Sequence, residues 1–443
     1  MSKKVKLGVF DCTMIVVSLV IGMGIFRTPV NVARNVPDDF LFFFTWIVGG
    51  LVALCGALTY AEIGSRLPVM GGYYKIFSYG YHPSIAFAIN CIILISNAAS
   101  LAGVALIGSE YISFVLFPSV TSEANLLIKE ITIALSSILL FYGVNLLGLR
   151  MSARAQNILT IIKISLIVLL ITPLFFAKNL PGVDLPIQGS SGWISYLKGF
   201  GLGLIAVSFT YGGYQQTINF GSDIDRPGKN IPRGIFMGII IILALYLTIN
   251  YAYIRVIGLD QLRVTRGIAA VMAAHVFGDA AGKILSILLF LSVLAYVNVL
   301  LLSNPRVMVA MADDGVLPKA FSKRNLTKGV LFNSLTAFTA ACVLIVFWLK
   351  EFDKILSFTI FLDCFGMAAS AGTIFKLRKQ HVFPEGKEYY RMKFYPVLPV
   401  IFISAYLFVA VSIAINTPWT AVTALLVMAA FMAIYFLSRR KSA

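Results

Sequence analysis

The sequence predicts an all-α integral membrane protein in which twelve transmembrane helices fill the whole chain. Three observations carry this. Of 443 residues, 59% are hydrophobic and only 12% charged, with a mean hydropathy of +0.89, too little charge for a soluble protein of this length. Apolar runs of about 20 residues, the length of a helix crossing a ~30 Å hydrocarbon layer, recur from Leu7 to Leu437 without a polar segment large enough for a separate domain. Two of these runs, moreover, are interrupted by glycines in matching places.

In chain order the runs occupy 9–33, 40–65, 83–116, 126–147, 155–177, 199–220, 234–257, 283–311, 331–349, 353–376, 396–415 and 418–437. Lys3, Lys4 and Lys6 before the first run superficially resemble a signal peptide, but the run is too long and lacks a small-residue cleavage site, so it is read as a span. An even number of spans puts both ends on one side. Of the 36 Lys and Arg residues, 24 fall in the segments on that side, 11 lie on the other, and Lys163 stands alone inside a span. The bias towards positive cytoplasmic loops therefore predicts cytoplasmic termini in a multi-pass protein of the cell (inner) membrane. The net charge of +17 does not point to nucleic acid, because the basic residues sit in short loops instead of forming a stripe. Cys12, Cys55, Cys91, Cys342 and Cys364 all fall in apolar segments without CxxC spacing, and His82, His275 and His381 lie outside the apolar centres. No metal site, cofactor or disulfide framework is expected. The lipid bilayer is the expected surroundings.

A bilayer tolerates interrupted helix backbone only where it lines a cavity or meets a ligand. The first span carries Gly22-Met23-Gly24, then Arg27 and Pro29; the sixth carries Phe209-Thr210-Tyr211-Gly212-Gly213-Tyr214, then Gln215, Gln216, Thr217 and Asn219. A membrane-helix glycine alone is better explained by close helix packing. Here the two interruptions lie five spans apart, at corresponding places in two five-helix halves of opposite orientation, which is the pattern of a secondary transporter's central binding site. The predicted organisation is a single domain, 1–443, with a first repeat over 9–177, a second over 199–376, and two further helices over 396–437.

Several motifs are similar to those of the amino acid, polyamine and organocation (APC) permeases, especially the L-type amino acid transporter branch and its bacterial relatives. Gly22-Met23-Gly24-Ile25-Phe26 resembles the family's G-S/A-G-I-F, and Tyr60-Ala61-Glu62-Ile63-Gly64 through Gly71-Gly72 resembles Y-A-E-L-G…P-x-x-G-G. Phe209 to Tyr214 resembles F-A-Y-G-G-W, Pro227 to Pro232 resembles P-x-K-N-x-P, and Met311 to Gly315 resembles M-A-x-D-G. The resemblance runs from residue 8 to about 330. It implies a five-plus-five inverted-repeat core of the leucine-transporter type, with helices 1 and 6 broken, two C-terminal helices, and alternating access. Met23 departs from the usual small residue, Gln215 replaces an Asn of the L-type branch, and Ser222-Asp223 stands where that branch has two glutamates. The Pro118–Asn125 loop lacks the Cys to which animal members attach a glycoprotein, so no disulfide-linked heavy subunit is expected.

By the same resemblance, Ile21, Met23, Gly24 and Ile25 present backbone N–H groups to an amino acid's α-carboxylate, and Phe209, Thr210 and Gly212 present carbonyls to its α-ammonium. The opposed ends of a broken helix suit a zwitterion physically. Selectivity then falls to side chains, with Met23, Asn97, Gln215, Gln216, Tyr296 and Asn298 as candidates. None carries a charge, which favours neutral amino acids over polyamines or other organic cations of the same fold class. Phe209 is either an aromatic lid over the substrate or ordinary packing. Lys163 lies roughly 14 Å deep, nine residues of ~1.5 Å rise beyond Arg154, and a lysine at that depth marks function. In sodium-independent members a similar lysine fills the place of a sodium ion, with a helix 8 hydroxyl, here Ser292, as partner; the alternative is a proton carrier. Arg27 and Asp363 are candidates for an outer gate pair, against an Arg27 that meets headgroups or water. The expected activity is sodium-independent secondary transport, as an exchanger or with protons. A channel-like facilitator would need a continuous polar stripe. An enzyme is not expected, since HExxH, GxSxG and paired carboxylates at helical spacing are all missing.

Overall fold

The computed structural model describes residues 6–22, 24–118, 123–176, 192–265, 267–325, 329–347, 352–382 and 388–440. Met23 and four residues of the Pro118–Asn125 loop, 119–122, lie outside this set, and with them the expectations placed there. The described chain is helical throughout, with three isolated bridges and no strand.

The first expected span is two helices, α1 (Val9–Val20) and α2 (Thr28–Asn35), joined through a 3-10 turn at Gly24–Phe26. Helix α3 (Asp39–Arg66) starts where the Asp38 carboxylate accepts the Leu41 N–H at 2.8 Å, a side-chain cap for an otherwise unpaired donor. There follow α4 (Gly72–Gly80), α5 (Pro83–Leu116), α6 (Glu123–Leu146), α7 (Leu149–Ile171) and α8 (Pro173–Phe176). The sixth expected span is again divided, into α9 (Trp193–Tyr211) and a 3-10 turn at Tyr214–Asn219. Then come α10 (Pro227–Val256), α11 (Leu259–Val264), α12 (Ile268–Phe277), α13 (Ala281–Asp313), α14 (Phe332–Phe347), α15 (Phe352–Lys379), α16 (Val397–Asn416) and α17 (Pro418–Arg440). By length and composition, seven stretches of the described residues can cross a membrane: α3, α5, α6, α7 with α8, α10, α13 and α16. Interruption leaves α1 and α2 too short to qualify singly.

Helix α1 is buried on every side from Cys12 to Val20. It approaches α10 closely because Gly234 and Gly238 face it; a Cβ at either glycine would come within 2.4 Å of Cys12 or Val16. Small residues at such crossings let membrane helices gain dispersion contact that bulkier ones would block. The first four expected spans each contact the one five later: α3 lies on α10, α5 on α13, α6 on α14, α2 on α9, and α1 on the Tyr214–Asn219 turn.

One end of the bundle, here the basal end, carries Leu7, whose N–H donates to Asp223 O at 2.8 Å while its carbonyl accepts from Asp225 N at 2.9 Å. Arg306 pairs with Asp223 at 2.7 Å, and Lys75 with Asp314. Buried Glu62 accepts from Arg66 Nε at 2.8 Å, from Arg378 Nε and Nη2 at 2.9 and 2.6 Å, and from Met392 N at 2.9 Å. Four N–H donors, three of them from two guanidinium groups, compensate a carboxylate that burial alone would make costly. At the distal end, Arg263 donates to the carbonyls of Ala33, Val36 and Pro37, holding the exit of α2.

Candidate functional site

The two breaks face each other. At the first, Ile21 N donates to Val17 O and Gly22 N to Val20 O, both at 2.8 Å, and helical bonding resumes with Arg27 N to Gly24 O at 2.9 Å. Between these, the N–H groups of Gly24 and Ile25 have no acceptor among the described residues. At the second, Gly212 N turns back to Phe209 O at 3.2 Å, and Gly213 takes φ +113° with its N–H on Gln215 Oε1 at 2.9 Å. A side chain at 213 would be doubly barred, by that left-handed backbone and by Leu19 O, 2.4 Å from the Cβ position. The Tyr246 hydroxyl spans the breaks, reaching Val20 O at 3.2 Å and Thr210 O at 3.4 Å. Thr210 Oγ1 meets Thr28 Oγ1 at 2.6 Å.

Between the breaks lies a cavity of about 490 Å³, within the range of small-molecule sites. Gly22, Gly24, Thr210, Gly212 and Gln215 line it from the two breaks, and Tyr73, Asn97, Tyr296 and Asp363 line it from α4, α5, α13 and α15. Asn97 Nδ2 donates to Asn304 Oδ1 at 2.7 Å, and the Tyr296 and Ser100 hydroxyls are 2.9 Å apart. Phe209 lines the cavity with 48% of its surface exposed, and Arg27 is exposed towards the distal end. The basal ion pairs lie at the other end.

Several expected residues take different places. Ile21 and Ile25 are fully buried and do not line the cavity, and the Ile21 N–H is already spent on Val17 O. What Ile21 contributes is its carbonyl, which accepts from Lys163 Nζ at 2.6 Å. The hydroxyl nearest that ammonium is Ser18, at 3.5 Å, on α1, where Ser292 on α13 was expected. Ser18 in turn donates to Ala295 O at 3.3 Å and accepts from Gln156 Nε2 at 2.6 Å, so α1, α7 and α13 are joined behind the break without Ser292. Asn298 does not reach the cavity: fully buried, it donates to Gln156 Oε1 at 2.8 Å and accepts from Asn145 Nδ2 at 2.9 Å. Arg27 and Asp363 both line the cavity but form no ion pair with each other in this structure; the acidic neighbour of Arg27 is Glu110. Phe209, Thr210, Gly212, Gln215 and Gly24 stand where expected on the cavity wall. Tyr246, Tyr73, Ser18 and Gln156 were missed, since one tyrosine among 19 and a serine in an apolar helix carry no periodic or motif signal. Among the described residues no His, Cys, Asp and Glu gather as a metal site.

Residues 7–438 match the family model described as amino acid permease. The chain belongs to the amino acid permease family. It is a multi-pass membrane permease of the APC superfamily, related to the L-type branch and to bacterial proteins. The serine/threonine exchanger SteT of Bacillus subtilis (strain 168) is 26% identical, with 99% of this chain and 98% of that protein aligned. The large neutral amino acids transporter small subunit 2 of Homo sapiens is 25% identical over 98% of this chain and 80% of its own length. The methylthioribose transporter of the same Bacillus strain is 27% identical over 89% of this chain and 85% of its own length. Family and relatives alike are transporters, not enzymes.

Proposed function

We propose that this permease is a sodium-independent secondary active transporter of neutral amino acids that works by alternating access. The observation that carries the reading is the pair of facing breaks around one cavity, with the unpaired N–H of Gly24 on its wall, that of Ile25 next in the chain behind it, and Phe209 and Thr210 lining it from the second break. The carbonyl of each of these last two already accepts one hydrogen bond and keeps a second lone pair for an α-ammonium. The pairing of each of the first four spans with the one five later supports two inverted repeats, 9–177 and 199–376, followed by 396–437 and making twelve spans. Loop charge supports cytoplasmic termini in the cell membrane. The basal end is then the cytoplasmic one, closed by its ion pairs, with Phe209 as the lid on the outer side.

Sodium independence rests on Lys163, whose ammonium sits behind the first break on the Ile21 carbonyl, supplying the positive charge a sodium ion would bring. The substrates for which the serine/threonine exchanger and the large neutral amino acids transporter are named support a neutral substrate. Counterflow into proteoliposomes tests the reading. Labelled L-threonine or L-leucine should enter faster when the unlabelled amino acid is inside, equally in sodium and in choline. A lack of counterflow by either probe and by the other neutral amino acids refutes transport, and a need for sodium refutes the role given to Lys163.

A further inference from the structure

We propose that Asp363 is the proton-coupling group of this transporter: its carboxylate takes a proton from water in the cavity on one side of the membrane and returns it on the other, with the substrate. The inference rests on the transport reading above and deepens it. Asp363 sits on α15, which packs against α3, α4, α5, α16 and α17, and lines the same cavity as the broken helices. Among the described residues, no hydrogen bond and no ion pair reaches its carboxylate. The titratable groups around it are Tyr60 on α3, Tyr73 on α4, Tyr296 on α13, Tyr406 on α16 and its neighbour Cys364, none of them a cation. From α5 the cavity receives Ser96, Asn97 and Ser100, which do not titrate.

An ionised carboxylate without a partner is tolerable in a water-filled cavity and costly once the cavity closes and dries around a neutral substrate. Protonation removes that cost. A hydronium ion in the cavity loses one O–H bond, the Asp363 carboxylate gains one, and a water molecule is left; the reverse step follows when the cavity opens to the other side. Lys163 is placed differently, since its side chain is fully buried, is no part of the cavity wall, and spends its ammonium on Ile21 O.

The test uses purified full-length protein in proteoliposomes, with whichever of labelled L-threonine and L-leucine gives counterflow. Without internal substrate, and with pH 6 outside and pH 8 inside, wild type should accumulate the amino acid at least tenfold over vesicles without a gradient. The limit for one proton per substrate is about 100-fold, tenfold per pH unit. A protonophore should abolish the accumulation. Asp363→Asn, which resembles the protonated side chain, should lose the gradient response, and its counterflow should become flat between pH 6 and 8 where that of wild type falls with rising pH. Accumulation that survives Asp363→Asn overturns the proposal, as does wild-type counterflow that ignores a proton gradient. A variant that is folded by thermal shift yet exchanges at no pH also overturns it, and returns Asp363 to the role of a charge partner for Arg27. Wild type without counterflow refutes the transport reading itself, and this inference with it.

Discussion

Replacing Lys163 by methionine keeps most of the apolar stem and removes the ammonium. In the structure that group donates at 2.6 Å to Ile21 O, a carbonyl freed from helical bonding by the break, and lies 3.5 Å from Ser18 Oγ. A hydrogen bond from a charged donor contributes about 1.5–3 kcal/mol, and a buried carbonyl left without a donor costs a similar amount. Because the ammonium holds the backbone that precedes the N–H groups of Gly24 and Ile25, most of this loss should appear as weaker substrate binding. At 1.4 kcal/mol per decade it corresponds to roughly 10- to 150-fold in apparent affinity. The assay is counterflow as a function of substrate concentration, with a thermal-shift titration of the same sample to separate affinity from folding. Wild-type affinity in a folded Lys163→Met protein would refute the reasoning, since a 2.6 Å contact to the broken helix would then be holding nothing that the substrate uses.

Gly24→Leu should abolish uptake while the protein stays folded, because a Cβ there would lie 3.1 Å from Thr210 Oγ1 and the rest of the side chain would enter the cavity; wild-type counterflow by this variant would remove Gly24 from the site. Gly213→Ala should cost more in stability than Gly24→Ala, since φ +113° and the Leu19 carbonyl both exclude a Cβ, and comparison of the two melting temperatures checks it. Glu62→Gln should lower the melting temperature sharply, by about 3–5 kcal/mol of stability, because a buried and a largely buried guanidinium group lose their counter-charge; a melting temperature within experimental error of wild type would contradict the clamp. Tyr246→Phe should slow transport with little change in stability, the two bonds at 3.2 and 3.4 Å being long ones, and a rate equal to wild type would show that they carry nothing.

Breaks were legible in the sequence because glycine is the residue that allows them, and Gly22, Gly24, Gly212 and Gly213 announce both. Lys163 was legible for a different reason: a cation deep in an apolar run has no bland explanation. Its partners were not, because whether Ser18 or Ser292 meets the ammonium depends on the register between helices more than a hundred residues apart in sequence. Asn298 shows the same limit from another side. Helix α13 is apolar and buried almost all round over Ser292–Val307, so no hydrophobic stripe marks the face that turns to the cavity, and Asn298 points instead to Gln156 and Asn145. The cavity role of Asp363 could not be read without knowing what stands opposite α15. Hydropathy located the helices in sequence, whereas their mutual rotation is a property of packing.

Tyr246 gives the broken helices a common mechanical fate. Its hydroxyl is held by a carbonyl from each, Val20 and Thr210, while the tyrosine itself belongs to α10, which packs along α1. The single hydroxyl proton is shared between the two carbonyls, so a displacement that carries off one of them forfeits a branch of that bond, at most about 1 kcal/mol. One that moves α10 and both breaks as a body forfeits nothing. Three separate pieces of chain are thereby biased to share a single coordinate, so a distance monitored across either break should switch between two levels in step with the other, as the arms of one lever do.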